Sequence, residues 1–314
     1  MVFACGTAKA ACLTVVVAAG AVCPRDEANG QPPPQAYALG YTTKTWDSTT
    51  LGTTVGTWQN YNFKGHSSPS QYQTQNQDGS ITLTGSGWSG GMANYTGEMA
   101  TAANNAAKPF LYQGIAFGGG FYLEVQMLAV GAVTTAQDDT LDIAIYDSLN
   151  LTGYINVDAL GDQAIELDGP EFDAVGSTTQ YGVSCHDYYW TGSMKSRLDP
   201  TSLIPKATIP SGTIFTWNTY GVLWVPATAS TRGYVSWFFN GTQVATIVEG
   251  PGTGYVQYSA GQTYPPSNTA NTICNYLDTT QMIPVIGLSG ASVITGVIKS
   301  AKIWQGPGRN NSQY

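Results

Sequence analysis

Charged side chains are scarce in this 314-residue chain, only 10% of it. The strong helix formers Glu, Lys, Arg and Met are few, and no window of useful length repeats its apolar residues at the 3.6-residue helical period. A helical fold is thereby excluded. Positive charge is the scarcer sign, 12 Lys and Arg against 20 Asp and Glu, for a formal net charge of −8. With no basic run to release counterions from a phosphate backbone, nucleic acid is not an expected partner. The same balance disfavours strongly sulfated or uronic-acid polymers, unless scattered cations converge on a groove, and leaves a neutral glycan as the better polymeric partner.

Long apolar runs are also lacking. Residues 10–22 form one of about signal-peptide length, too short and Ala-rich to span a membrane securely, with Lys9 before it and the small-x-small pattern Ala19-Gly20-Ala21 near its end. Residues 1–21 are therefore expected to be a cleaved export signal, with an uncleaved anchor as the alternative. The mature chain is expected outside the cytoplasm, extracellular or periplasmic, as a monomer free of the membrane. Of five cysteines, Cys5 and Cys12 leave with the signal, and the odd set Cys23, Cys185 and Cys274 allows at most one bridge, its pairing open. Asn94, Asn150, Asn240 and Asn310 begin glycosylation sequons, which a chain rich in Asn, Ser and Thr also produces by chance.

What is abundant is turn and strand chemistry: 37 Gly, 19 Tyr, and many Thr, Ser and Asn. After a Pro-rich segment, 22–35, whose Pro32-Pro33-Pro34 favours an extended linker, one domain is expected over 36–306, followed by a polar tail, 307–314. Strand-like runs fall at 80–84, 120–129, 140–146, 164–167, 181–186, 219–224, 233–239, 242–248, 282–288 and 297–304. Asn240-Gly241 joins two of them as a hairpin turn. Some ten strands without helices imply an all-β sandwich.

Three of the 20 acidic residues, Glu166, Asp168 and Glu171, fall within six positions of an otherwise uncharged segment, Ala164-Ile-Glu-Leu-Asp-Gly-Pro-Glu-Phe. Strand alternation puts Glu166 and Asp168 on one face and Glu171 on the other. Gly169-Pro170 is the kind of pair that marks a bulge, and one extra residue there restores the phase so that all three converge. Paired carboxylates suit glycoside cleavage, one ionised to attack the anomeric carbon and one protonated to release the leaving oxygen. A solvated acidic edge or a calcium ligand set fits the spacing equally well.

The spaced triplet Glu166-x-Asp168-x-x-Glu171 resembles the bulged signature of glycoside hydrolase family 16. Asp78-Gly-Ser-Ile-Thr-Leu-Thr, the segment 113–125, Tyr181-Gly-Val-Ser-Cys-His-Asp-Tyr-Tyr-Trp, Tyr220-Gly-Val-Leu-Trp-Val-Pro, the segment 233–241 and the closing segment 297–305 are similar to that family's strands in order and spacing. The resemblance implies a concanavalin-A-like β-sandwich, or jelly roll, with a sugar-binding concave sheet. It implies a retaining mechanism with Glu166 as nucleophile, Asp168 tuning the pair and Glu171 as general acid and base. The implied substrate is a β-1,3 or mixed-linkage glucan, with galactan next. A non-catalytic glycan-binding or surface-structural protein on the same fold is the second reading.

Candidate substrate-binding residues are His186, Trp190, Trp224 and Trp237, the indoles because an aromatic face stacks on a pyranose. Trp88 belongs with them, and core packing is the rival fate of each indole. Cys185-His186 is no thiol catalytic pair, because adjacent strand residues face opposite ways. No cofactor is implied. Asp138, Asp139 and Asp142 offer oxygens to a structural Ca²⁺ but lack EF-hand spacing, and Gly118-Gly119-Gly120 leads into a strand, so it is a turn or bulge rather than a phosphate cradle. N-terminal sequencing of the exported chain is expected to begin at Val22, and a chain retaining residues 1–21 would show the anchor instead.

Overall fold

The strand-rich composition gives strands almost throughout. The computed structural model describes residues 31–48, 73–83, 99–100, 102–104, 112–131, 142–147, 163–172, 178–191, 194–197, 206–249, 255–259, 277–287 and 294–313. One short helix, α1 (Pro34–Ala38), is followed by β1 (Thr43–Asp47), β2 (Gln73–Gln75), β3 (Ile81–Leu83), β4 (Met99–Ala100), β5 (Ala102–Asn104), β6 (Tyr112–Gly118), β7 (Phe121–Gly131), β8 (Asp142–Asp147) and β9 (Gln163–Glu171). Then come β10 (Gln180–Thr191), β11 (Met194–Arg197), β12 (Lys206–Thr208), β13 (Asn218–Val225), β14 (Tyr234–Phe239), β15 (Thr242–Glu249), β16 (Tyr255–Ser259), β17 (Gln281–Gly287), β18 (Ile294–Gln305) and β19 (Ser312–Gln313). Each of the ten segments read as strands overlaps one of these.

The strands form two antiparallel sheets. A nine-stranded sheet runs β16-β15-β14-β13-β7-β18-β3-β2, with β1 also on β18. A ten-stranded sheet runs β11-β10-β9-β8-β17-β6-β19, with β12 on β10, β4 on β17 and β5 on β6. Between them lies one core, to which the first sheet gives Leu123, Val125, Val222 and Trp237 and the second gives Ile145, Leu167, Cys185 and Met282. The chain is an all-β sandwich.

The nine-stranded sheet is covered on its other face too. Ala36 of α1 and Tyr41 pack there with Tyr122, Leu223, Phe238 and Trp304, and the Tyr122 ring meets Phe238 edge-on at 6.0 Å. Burial on both sides explains why β13 and β14 are nearly continuous apolar runs rather than alternating ones. It also corrects the N-terminal boundary: Pro32 and Pro33 are buried, and Pro34 opens α1, where a missing N–H costs nothing. The end of the expected linker is part of the fold.

Two glycine-dependent turns set the topology. Asn240 (φ 48°) and Gly241 (φ 79°) make the β14–β15 hairpin with both central residues left-handed, and Asn240 Oδ1 accepts from the Thr219 N–H at 2.8 Å. Gly119 (φ 77°) and Gly120 (φ 84°) carry the chain from β6 in one sheet to β7 in the other. The segment 113–125, similar to a single strand in sequence, is thus two strands in different layers.

The tail locks that crossing. A Cβ on Gly119 would lie 2.3 Å from the Gly308 carbonyl oxygen. Buried Gln305 donates through Nε2 to the Gly118 carbonyl at 3.1 Å and to Asn311 Oδ1 at 2.9 Å, while Asn311 Nδ2 donates back to Gln305 Oε1 at 2.8 Å. Since β19 pairs with β6, residues 307–313 of the polar tail form a docked strap. Asn311→Ala leaves part of the Gln305 amide unsatisfied and is expected to lower unfolding free energy by about 1–3 kcal/mol in urea titration.

Candidate active site on the ten-stranded sheet

The β9 ladder determines which way its acidic residues face. Against β10, Glu166 pairs with His186, Leu167 with Cys185 and Asp168 with Ser184, and then Glu171 with Gly182. Against β8, Glu166 pairs with Tyr146, Leu167 with Ile145 and Asp168 with Ala144, and then Glu171 with Asp142. From Asp168 to Glu171 both neighbours advance two residues while β9 advances three. The extra residue is a bulge at Gly169-Pro170, where the chain has a glycine at φ 138° and a proline with no N–H to give the ladder.

Leu167 is buried in the core, so Asp168 belongs to the outer face of the sheet. The bulge returns Glu171 to the same ladder parity. Phe172 turns back into the core, its ring 5.6 Å from that of Tyr220 and 6.2 Å from that of Tyr181. Glu166, two residues before Asp168, occupies the same parity between Tyr146 and His186. Four paired steps on β10 separate the Glu166 and Glu171 positions, about 13 Å along the strand.

Asp168 and Glu171 are each only 4% exposed. Withdrawing a carboxylate from water this far is costly without compensating contacts, and both residues are engaged by neighbouring groups.

The other candidates divide. His186 stands opposite Glu166, and Trp190 lies four residues further along β10 opposite Lys195. Trp224 and Trp237 are not at the site. Trp224 is fully buried with its ring edge-on to Phe121 at 5.4 Å, and Trp237 is 1% exposed in the same core. Both come from the nine-stranded sheet at positions facing the sandwich interior, so no sugar reaches them. Trp88 lies outside the described residues.

Cys185 is fully buried and disulfide-bonded, its partner lying outside the described residues. Of the proposed calcium donors, Asp142 sits opposite Glu171, while Asp138 and Asp139 fall outside the described residues. Among the described residues no three His, Cys, Asp or Glu side chains converge to hold a metal ion. The positions Tyr146 and Ser184, which flank the acidic column, escape a reading of sequence alone, and Asp142 is found there only as a calcium donor, not as the neighbour of Glu171. The alternation Asp142-x-Ala144-x-Tyr146 marks a two-faced strand, but only the ladder shows what it stands beside.

No protein-family model and no curated protein matches this chain. Among solved structures it is similar to an endo-1,3-beta-glucanase from Streptomyces sioyaensis (12% identity, 84% of this chain and 88% of the other, TM-score 0.41). It is also similar to beta-agarase B from Zobellia galactanivorans (11% identity, 78% and 80%, TM-score 0.42) and to the Emp47p carbohydrate recognition domain (9% identity, 74% and 86%, TM-score 0.34). Likenesses this remote concern architecture and not chemistry.

Trp224→Ala is expected to lose about 3–5 kcal/mol of unfolding free energy, as for a large buried aromatic, which urea titration or calorimetry checks.

Proposed function

We propose that this protein is a secreted, retaining endo-glycosidase acting on a β-linked polysaccharide, with β-1,3 or mixed-linkage glucan as the favoured substrate and galactan next. The observation that carries this reading is the bulge that returns Glu171 to the ladder parity of Asp168 and Glu166. In this assignment Glu166 attacks the anomeric carbon. Glu171 protonates the departing oxygen and then activates the water that resolves the glycosyl intermediate, and Asp168 between them orients the pair. Two glutamates, each with a long side chain, must lean together from their strand positions to the ~5–5.5 Å carboxyl separation that double displacement needs. His186 and Trp190, on the neighbouring strand, are assigned to sugar binding. Export agrees with the disulfide at Cys185, since such bonds persist in oxidising compartments.

The near-complete burial of Asp168 and Glu171 supports a second reading, a glycan-binding or surface-structural protein on this fold that performs no turnover. Reducing-end release from laminarin, mixed-linkage β-glucan, agarose and carrageenan separates the two. The hydrolase is expected to act on one polymer and to lose about 10²–10⁴-fold in rate in Glu166→Gln and in Glu171→Gln. Binding without release on any of the four would establish the non-catalytic protein.

A further inference from the structure

We propose that Trp237, in the opposite sheet, is a positioning residue for the acidic column of β9, acting through Gly169; the assignment deepens the glycosidase reading and rests on it for its consequence in rate. Trp237 lies on β14 opposite Val222, and its indole crosses the sandwich to the underside of the β9 bulge. A Cβ built on Gly169 would lie 2.4 Å from Trp237 Nε1, 2.6 Å from its Cδ1 and 3.0 Å from Val183 Cγ1. No side chain fits there. The indole fills the volume that any residue but glycine would need.

Three further features show that this contact is built. Gly169 has φ 138°, a region L side chains rarely adopt, so backbone and space demand glycine together. Trp237 itself adjoins a register shift, since β15 passes from Ala245 opposite Trp237 to Gln243 opposite Phe238, leaving Val244 as an extra residue. Two bulges thus meet across the core. Finally, Nε1 of Trp237 is buried with no hydrogen-bond partner among the described residues, a cost that leucine or phenylalanine at this position would avoid.

The consequence is mechanical. Asp168 immediately precedes the contact and Glu171 follows two residues later, so the indole is the floor on which the extra residue rests. Displacing that floor shifts one carboxylate relative to the other, and a misplacement of about 1 Å is enough to cost roughly 10²-fold in rate.

The test uses the full chain with Gly169→Ala, Trp237→Leu and the double variant. Urea titration first establishes the folded fraction. Amide hydrogen exchange is then read for residues 164–172 and, as a control, 219–224, alongside kcat and KM on whichever polymer the wild type cleaves. Gly169→Ala is expected to accelerate exchange in 164–172 at least tenfold with the control unchanged. It is also expected to lower kcat about 100-fold with KM within threefold. Trp237→Leu removes the floor while leaving Gly169 in its own backbone conformation, and is expected on its own to accelerate exchange in 164–172 at least tenfold more than in 219–224 and to lower kcat at least tenfold with KM within threefold. Adding it to Gly169→Ala restores neither, because an alanine at φ 138° stays strained whatever room the indole gives up. Exchange in 164–172 left unchanged by Trp237→Leu, or folded Trp237→Leu with wild-type kcat, overturns the proposal. Should the wild type cleave nothing, the hydrolase reading fails by itself, and exchange in Trp237→Leu still decides whether Trp237 positions the bulge.

Discussion

One extra residue in β9 governs the use this protein can make of its acidic segment. In a strand, a change of phase by one position exchanges the two faces completely. Without the bulge, Glu171 would enter the core side, where Phe172 now packs against Tyr181 and Tyr220, and an ionised carboxylate has no place there. With it, Phe172 fills the interior and Glu171 stands with Asp168. The shift appears in the same place against β8 and against β10. Because two ladders hold it, the phase cannot slip on one side alone.

The nine-stranded sheet is the rigid back of this arrangement. Its central strands are buried on both faces, by the shared core within and by α1, Tyr41 and the aromatic group around Tyr122 without. A strand held on both sides has little freedom to twist or translate. That is the element from which Trp237 reaches across to Gly169, so the acidic column is supported by packing that originates in the other layer. The docked strap at Gln305 and Asn311 performs a comparable service at the crossing between the layers.

Much of this could be read from residue order. Asn240-Gly241 announced its hairpin because only a left-handed pair closes so short a turn, and Gly169-Pro170 announced a bulge because neither residue continues a ladder well. Features that depend on partners distant in sequence were hidden. Trp224 and Trp237 invited a sugar-binding role because an indole looks the same in sequence whether it faces a groove or a core. Their parity relative to the sandwich interior is set by pairing with β7 and β15. The Gly118-Gly119-Gly120 run was legible as a turn, but that it changes layers depends on the tail residues 308–311, almost two hundred positions away. The short helix at Pro34–Ala38 carried too few residues for any period to register, and proline at its start resembled linker chemistry.

The scarcity of charge gives the acidic column its physical meaning. In a chain where one residue in ten is charged, hydroxyls, amides and aromatic rings far outnumber ionised groups. Against that neutral background, Asp168 and Glu171 are withdrawn from water almost completely. Folding gains nothing from such burial in itself, because an apolar pair at the same positions would avoid the desolvation cost and the mutual repulsion of like charges. A protein that keeps carboxylates there, aligns them by a bulge that needs glycine, and supports the bulge with an indole from the opposite sheet is bearing a cost to stability in several places at once. Burial sets Asp168 and Glu171 apart from the solvated acidic edge that their spacing alone would equally have allowed.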